Sequence, residues 1–161
     1  MPGKVSDLTT IMTQAVELMD ELIFLSDSQH QALKQGNLQV ITYVVSQQER
    51  AGRQVALLDR QGKQIISDLA EEYGLVVDHL KELLPHIDEA EAGYLCQLRD
   101  VIMIRSDKLR EMNQLNQALV KQGLKYTNKV LDIINGPDSL IYNHQGDLHG
   151  ANQRTLVDTK F

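Results

Sequence analysis

Aromatic residues are scarce in this sequence, whose 161 residues include two Phe, five Tyr and no Trp. Large aromatic rings usually supply much of the buried area in a rounded globular core. Here Leu, Ile, Val and Ala fill the apolar positions instead, and these residues suit the lines of contact between neighbouring helices. The composition therefore favours an elongated helical array within one domain.

Cysteine and clustered positive charge are also lacking. Cys96 is the only cysteine, which excludes an internal disulfide and a cysteine-based zinc site. The formal net charge of −6 argues against nucleic acid as a partner, because phosphate contacts need clustered Lys and Arg. No apolar run is long enough to span a bilayer, and the first residues are amphipathic. We expect a cytoplasmic protein.

Groups for catalysis or metal binding do not converge in the sequence. The Glu-x-x-His spacing that builds di-iron sites in helical bundles is missing, and Asp27 with His30 is the nearest approach. A lone histidine of this kind is usually structural. His144 and His149 form only a weak metal pattern. With no phosphate-binding glycine loop and no nucleophile elbow, we predict a non-enzyme without cofactor, metal ion or small-molecule substrate.

Helical periodicity is what the sequence contains instead. Apolar residues at steps of three and four, with stop signals between them, predict helices over residues 7–35, 38–73, 76–84 and 88–134. The link Gly36-Asn37 is short enough for an antiparallel hairpin, since glycine ends one helix and asparagine caps the next. Pro85 closes the third helix, and Asp88 caps the fourth.

The predicted fold is all-α, an elongated antiparallel helical bundle or coiled coil with one long C-terminal helix. Residues 1–137 are expected to form the helical domain. Residues 138–161 follow Gly136-Pro137 and hold only scattered apolar residues, so we expect a flexible tail there.

Polar or small residues interrupt the apolar stripes of the three long helices. They are Ser26, Gln29 and His30 in the first, Gln48, Gly52 and Gly62 in the second, and Arg105, Asn116 and Gly123 in the fourth. A polar residue at such a position either fixes the register of neighbouring helices or meets a partner. The glycines indicate either close helix approach or local flexibility.

The end of the fourth helix has an unusually wide apolar face. Its first stripe includes Leu119, Tyr126 and Val130. From Val120 onward a second stripe runs beside it, about 100° around the helix, through Leu124, Leu131 and Ile134. In a closed bundle two neighbouring helices would cover this face, whereas in a binding protein part of it would stay open for another protein.

Three motifs resemble those of FlgN-type flagellar export chaperones. Leu109-Arg110-Glu111-Met112-Asn113-Gln114-Leu115-Asn116, followed by Leu119 and Val120, resembles the family's Asn-x-x-Asn pair on its long C-terminal helix. Leu140-Ile141-Tyr142-Asn143-His144-Gln145-Gly146 is similar to the family's Tyr-x-x-x-Gly ending, and Ala32-Leu33 to the end of its first helix. Glu49-Arg50 and His30 depart from the Glu-Lys pair and the acidic residue often found there, which indicates a distant member.

The resemblance implies a cytoplasmic chaperone for hook-associated proteins 1 and 3 that also contacts the flagellar export apparatus. The helical ends of these clients would self-associate in the cell unless a chaperone covered their apolar faces. The client surface implied here lies on the fourth helix, with Lys121, Lys125 and Lys129 expected at its rim. The predicted client-binding residues are Met112, Asn113, Asn116, Leu119, Val120, Leu124, Tyr126, Val130, Leu131 and Ile134.

Two other classes of protein fit the same sequence. One is an oligomerising coiled-coil scaffold without a client, and whether the protein forms a homo-oligomer is open. A metal-binding bundle is the third alternative. Part of the apolar face, Met112 and Leu119 especially, is also expected to pack on the first two helices.

Overall fold

The fold is described from a computed structural model, which covers residues 2–77, 79–135, 141–142 and 148–149. The chain divides into two compact units, Met1–Asn116 and Gln117–Phe161. The longest helix of the chain begins in the first unit and ends in the second.

The first unit contains three long helical segments and a short connector. Helix α1 comprises Pro2–Gln35, α2 Leu38–Glu72 and α3 Leu80–Leu83, followed by a short 3₁₀ helix at Leu84–His86 and by α4, Glu89–Asn135. The long helices pack against one another, so the predicted all-α class with a long C-terminal helix is confirmed.

The second unit contains the last turns of α4 and a short antiparallel strand pair. Strand β1, Ile141–Tyr142, pairs with β2, Leu148–His149, so that Ile141 lies opposite His149. Most of the predicted tail, including His144, lies outside the described residues. Its flexibility and the domain boundary at residue 137 stay predictions.

The α1–α2 hairpin forms where the sequence predicts it. Gly36 adopts a φ of +64°, a left-handed conformation that glycine reaches at little cost. This conformation lets the Asn37 N–H donate to the Ala32 carbonyl at 3.0 Å, and the Asn37 side chain caps α2 by accepting from the Val40 N–H at 3.2 Å. The backbones of α1 and α2 then approach closely along their length.

The third helix is shorter than the predicted span 76–84. Gly74, at a φ of +68°, ends α2, and His79 is still extended, with φ −125° and ψ 137°. Val76 and Val77 favour extended backbone because their side chains branch at Cβ. Pro85 lacks the N–H that would continue the helix, and the chain tightens into a 3₁₀ turn around it.

The main apolar core lies at the end of the first unit far from the Gly36 turn. Leu83 and Leu95 are completely buried there, and the Leu8 and Leu69 side chains are almost so. The α3 segment thus closes the end of the hairpin and joins it to α4. We call these eight residues the core cluster: Val5, Leu8, Leu69, Ala70, Leu80, Leu83, Ile87 and Leu95.

The packing of α2 against its neighbours does not require glycine at position 52 or at position 62. A Cβ built on Gly62 would lie 3.8 Å from Ile11 Cγ2 and 3.9 Å from Leu8 Cδ1, which are ordinary contacts. Nothing lies within 4 Å of a Cβ built on Gly52. Local flexibility, the other explanation for these glycines, stays a prediction.

Candidate functional site

Exposed apolar side chains are concentrated in the last turns of α4. Six of them are between 43% and 79% exposed, and Ile133 is the most exposed. Ile133 belongs to the first stripe seen in the sequence, yet it was not among the predicted binding residues. We call this set the apolar arc: Val120, Leu124, Tyr126, Leu131, Ile133 and Ile134.

The apolar arc covers one side of α4. At about 100° per residue, its six members span about half of the helix circumference. Lys121, Lys125 and Lys129 are exposed. Helical spacing places Lys121 and Lys129 beside the two edges of the arc and Lys125 on the opposite side of the helix. The arc is therefore an uncharged surface with cations at its edges and behind it.

The other predicted binding residues have less accessible side chains, with one exception. Met112, Leu119 and Val130 are half-buried, whereas Asn113 is exposed. Asn116 is only 4% exposed and lies inside the first unit. The structure therefore places the Asn-x-x-Asn pair in two different environments.

A cluster of polar side chains surrounds the buried Asn116. Its amide nitrogen donates to the Ser26 carbonyl oxygen and to Gln29 Oε1, both at 3.0 Å. Gln48 Nε2 donates to Ser26 Oγ and to the same Gln29 oxygen, both at 3.2 Å. Side chains from α1, α2 and α4 therefore meet in one hydrogen-bonded group, which we call the polar layer: Ser26, Gln29, His30, Gln48 and Asn116.

The hydrogen bonds of the polar layer determine how its groups are oriented. Because the Asn116 amide nitrogen already faces two acceptors, the Asn116 amide oxygen faces His30. That oxygen accepts a hydrogen bond from His30 Nδ1 at 3.0 Å. His30 is thus part of the helix packing, as expected for a lone histidine.

Most of the polar interruptions in the three long helices are explained by contacts between those helices. The polar residues predicted on the stripes of α1, α2 and α4 meet one another in the polar layer. Arg105, a further interruption, pairs through Nε with Asp20 Oδ1 at 2.6 Å. Within the first unit, α4 therefore runs in the same direction as α1.

Sequence reasoning missed an apolar cleft in the first unit. It has a volume of about 320 Å³ and lies between the α1–α2 hairpin and the beginning of α4, beside Ile102 and Met103. Met12 and Met19 of α1 also line it. Met12 and Met19 lie beside the main apolar stripe of α1. Their spacing is the sequence feature that could have indicated the cleft.

The described residues offer an apolar surface for binding. Within residues 2–77 and 79–135 there is no group of three or more His, Cys, Asp or Glu side chains arranged to hold a metal ion. None of the helices in the described part of the chain is apolar enough over a sufficient length to cross a membrane. What the apolar arc can do is cover the apolar face of another helix.

Comparison with known families gives one match. The family described as FlgN protein matches residues 1–150, which include all four helices and the strand pair. No curated protein and no solved structure matches the chain.

Proposed function

This chain belongs to the FlgN family of flagellar export chaperones, and we propose that it binds the helical ends of hook-associated proteins 1 and 3 in the cytoplasm. Binding keeps these clients from associating before export and allows their delivery to the flagellar export apparatus. The family consists of chaperones and not of enzymes.

The apolar arc is the observation that carries this proposal. Six large apolar side chains, all at least 43% exposed, lie on one side of a helix within fifteen residues. Contiguous exposed apolar surface of this kind commonly marks a site where another protein binds. An amphipathic client helix laid along α4 would remove both apolar faces from water at once.

Burial of apolar area provides the expected binding energy. Full burial of one Leu or Ile side chain contributes about 1.5–3 kcal/mol, and these side chains are about half exposed before binding. Each member therefore contributes on the order of 1 kcal/mol. An aspartate inside the contact would add the cost of removing a charge from water.

Single aspartate substitutions test the arc. We expect Leu124→Asp and Leu131→Asp each to weaken binding of a C-terminal helical fragment of hook-associated protein 1 by at least about tenfold, or about 1.4 kcal/mol. Titration calorimetry measures the affinity, and circular dichroism checks that both variants stay helical. Ala118→Asp is the matched control, because Ala118 is exposed among the lysines on the opposite side; its affinity should stay within about twofold of the unmodified protein's.

Two outcomes would contradict the proposal. Unfolding of the Leu124→Asp and Leu131→Asp variants, with Ala118→Asp intact, would show that the arc is a packing surface of the chain itself. A closed oligomer that ignores the client fragment in sedimentation would instead favour the oligomerising scaffold.

A further inference from the structure

Two regions of the first unit hold α4 against the α1–α2 hairpin, and they differ in chemistry. Near its beginning, α4 inserts the fully buried Leu95 into the apolar core cluster. Twenty-one residues later, Asn116 is held by the polar layer. Between these regions lies the apolar cleft beside Ile102 and Met103, where α4 does not close tightly onto the hairpin.

The polar layer is easier to open than the core cluster. Separation at Leu95 would transfer buried apolar surface to water, which is unfavourable. Separation at Asn116 would replace hydrogen bonds within the protein by hydrogen bonds to water, so the net loss is small. Gln29, His30 and Gln48 are already half-exposed, and the Arg105–Asp20 pair is a partly exposed ion pair that adds little.

Opening at the polar layer would expose further apolar side chains of α4 to a client. Leu109 and Met112 are half-buried and lie on the same face of α4 as Asn116, two turns and one turn before it respectively. An α4 separated from α1 would therefore expose both side chains.

We propose that the polar layer is a latch that holds α4 on α1 until a client binds. When the latch opens, residues 105–116 of α4 move away from α1 while Leu95 stays in the core cluster. Leu109 and Met112 then contact the client. This inference rests on the proposed function for its client, whereas the opening itself is a property of the chain alone.

A reversible cross-link between α1 and α4 tests the need for opening. In a Cys96→Ala background, Asp20→Cys and Arg105→Cys are bridged by a short bis-maleimide that contains a cleavable disulfide, because the two native side chains touch. We expect the bridge to weaken binding of the hook-associated protein 1 fragment at least tenfold, and cleavage by a reductant to restore it.

The matched control places the same bridge within the hairpin. Lys4 and Glu72 form an ion pair between α1 and α2, so a Lys4→Cys/Glu72→Cys bridge leaves α4 free and should change the affinity by less than twofold. Equal binding by the bridged and cleaved Asp20→Cys/Arg105→Cys protein would overturn the latch and leave the proposed function intact. If neither form binds, the proposed function fails, and the client's part in the inference fails with it.

A second measurement needs no client. Spin labels at Glu17→Cys and Gln114→Cys, both exposed positions, report the separation of α1 and α4 in a Cys96→Ala background. We expect the distribution of distances between the two labels to contain a main distance, from the closed latch, and a less populated longer distance, from the open latch. Filling the layer with Gln29→Leu, Gln48→Leu and Asn116→Leu should remove the longer distance, and Asn116→Ala alone should increase its population. Identical distributions in all three proteins would overturn the latch.

Discussion

Gly36 and Gly62 are both glycines beside or within long helices, but only Gly36 has a backbone conformation that requires glycine. Its φ of +64° lies in the left-handed region, whereas Gly62 is an ordinary helical residue with room for a methyl group. The same substitution should therefore have opposite effects at the two positions.

At Gly36, alanine should destabilise the hairpin turn. The left-handed conformation costs a residue with a Cβ on the order of 1 kcal/mol relative to glycine. We expect Gly36→Ala to lower the free energy of unfolding by about that amount, as measured by urea denaturation followed by circular dichroism. An unchanged urea midpoint would show that the turn tolerates other conformations.

At Gly52 and Gly62, alanine should stabilise α2. Glycine inside a helix costs roughly 0.5–1 kcal/mol relative to alanine, and neither position has an obstructing neighbour. We expect each substitution to raise the free energy of unfolding by about that amount. Client affinity should stay unchanged; a stabilised Gly52→Ala protein that binds its client less well would support the flexibility explanation instead.

Asn116 shows where sequence reasoning stops at the residue scale. In the sequence, Asn116 is a polar residue within an apolar stripe, and Ser26, Gln29 and Gln48 interrupt the stripes of other helices. Each of these residues alone is compatible with a partner or with a register contact. Their mutual pairing depends on the relative positions of three helices, which the spacing within one helix does not contain.

At the scale of elements, α3 contributes more to the core than its length of four residues suggests. It contributes two buried leucines to the core cluster, Leu80 and Leu83. The sequence predicted a longer helix because its leucines are suitably spaced, but the prediction did not take account of the β-branched valines that follow Gly74. Longer elements were easier to predict, because their repeated periodicity and capping residues agree with each other.

Shortening a buried apolar side chain near α3 should destabilise the protein, whereas shortening an exposed one should not. Leu83 is completely buried, whereas Val76, seven residues earlier, is completely exposed. We expect Leu83→Ala to lower the free energy of unfolding by about 2–5 kcal/mol because it leaves a cavity. Val76→Ala, the control, should change it by less than about 0.5 kcal/mol. Equal urea midpoints for the two variants would contradict the assignment of α3 to the core.

At the scale of the whole molecule, charge and apolar surface are separated. The chain has a net charge of −6, yet the apolar arc is uncharged, and the lysines of the same segment lie at its edges and on the other side of the helix. The sequence revealed the width of the apolar face through its two stripes. It did not reveal how much of that face stays exposed, because exposure depends on which helices pack beside it.

Client binding should consequently depend little on salt. Exposed charges separated by more than about 8–10 Å are largely screened at physiological ionic strength, and the proposed contact is apolar. We expect the affinity for the hook-associated protein 1 fragment to change by less than about threefold between low and high salt, and Lys125→Glu to leave it within about twofold. Fluorescence anisotropy measures both. A steep loss of affinity with salt would instead place the client on a charged surface.

The core cluster also has a consequence for the order in which the chain is synthesised. Its first member, Val5, and its last, Leu95, are separated by ninety residues. At roughly 5–20 residues per second, a ribosome takes about 5–20 s to translate that interval. The α1–α2 hairpin is complete well before then, so Leu8 and Leu69 lack their final neighbours during the remaining synthesis. A member of a chaperone family thus begins with an incompletely covered helical pair of its own.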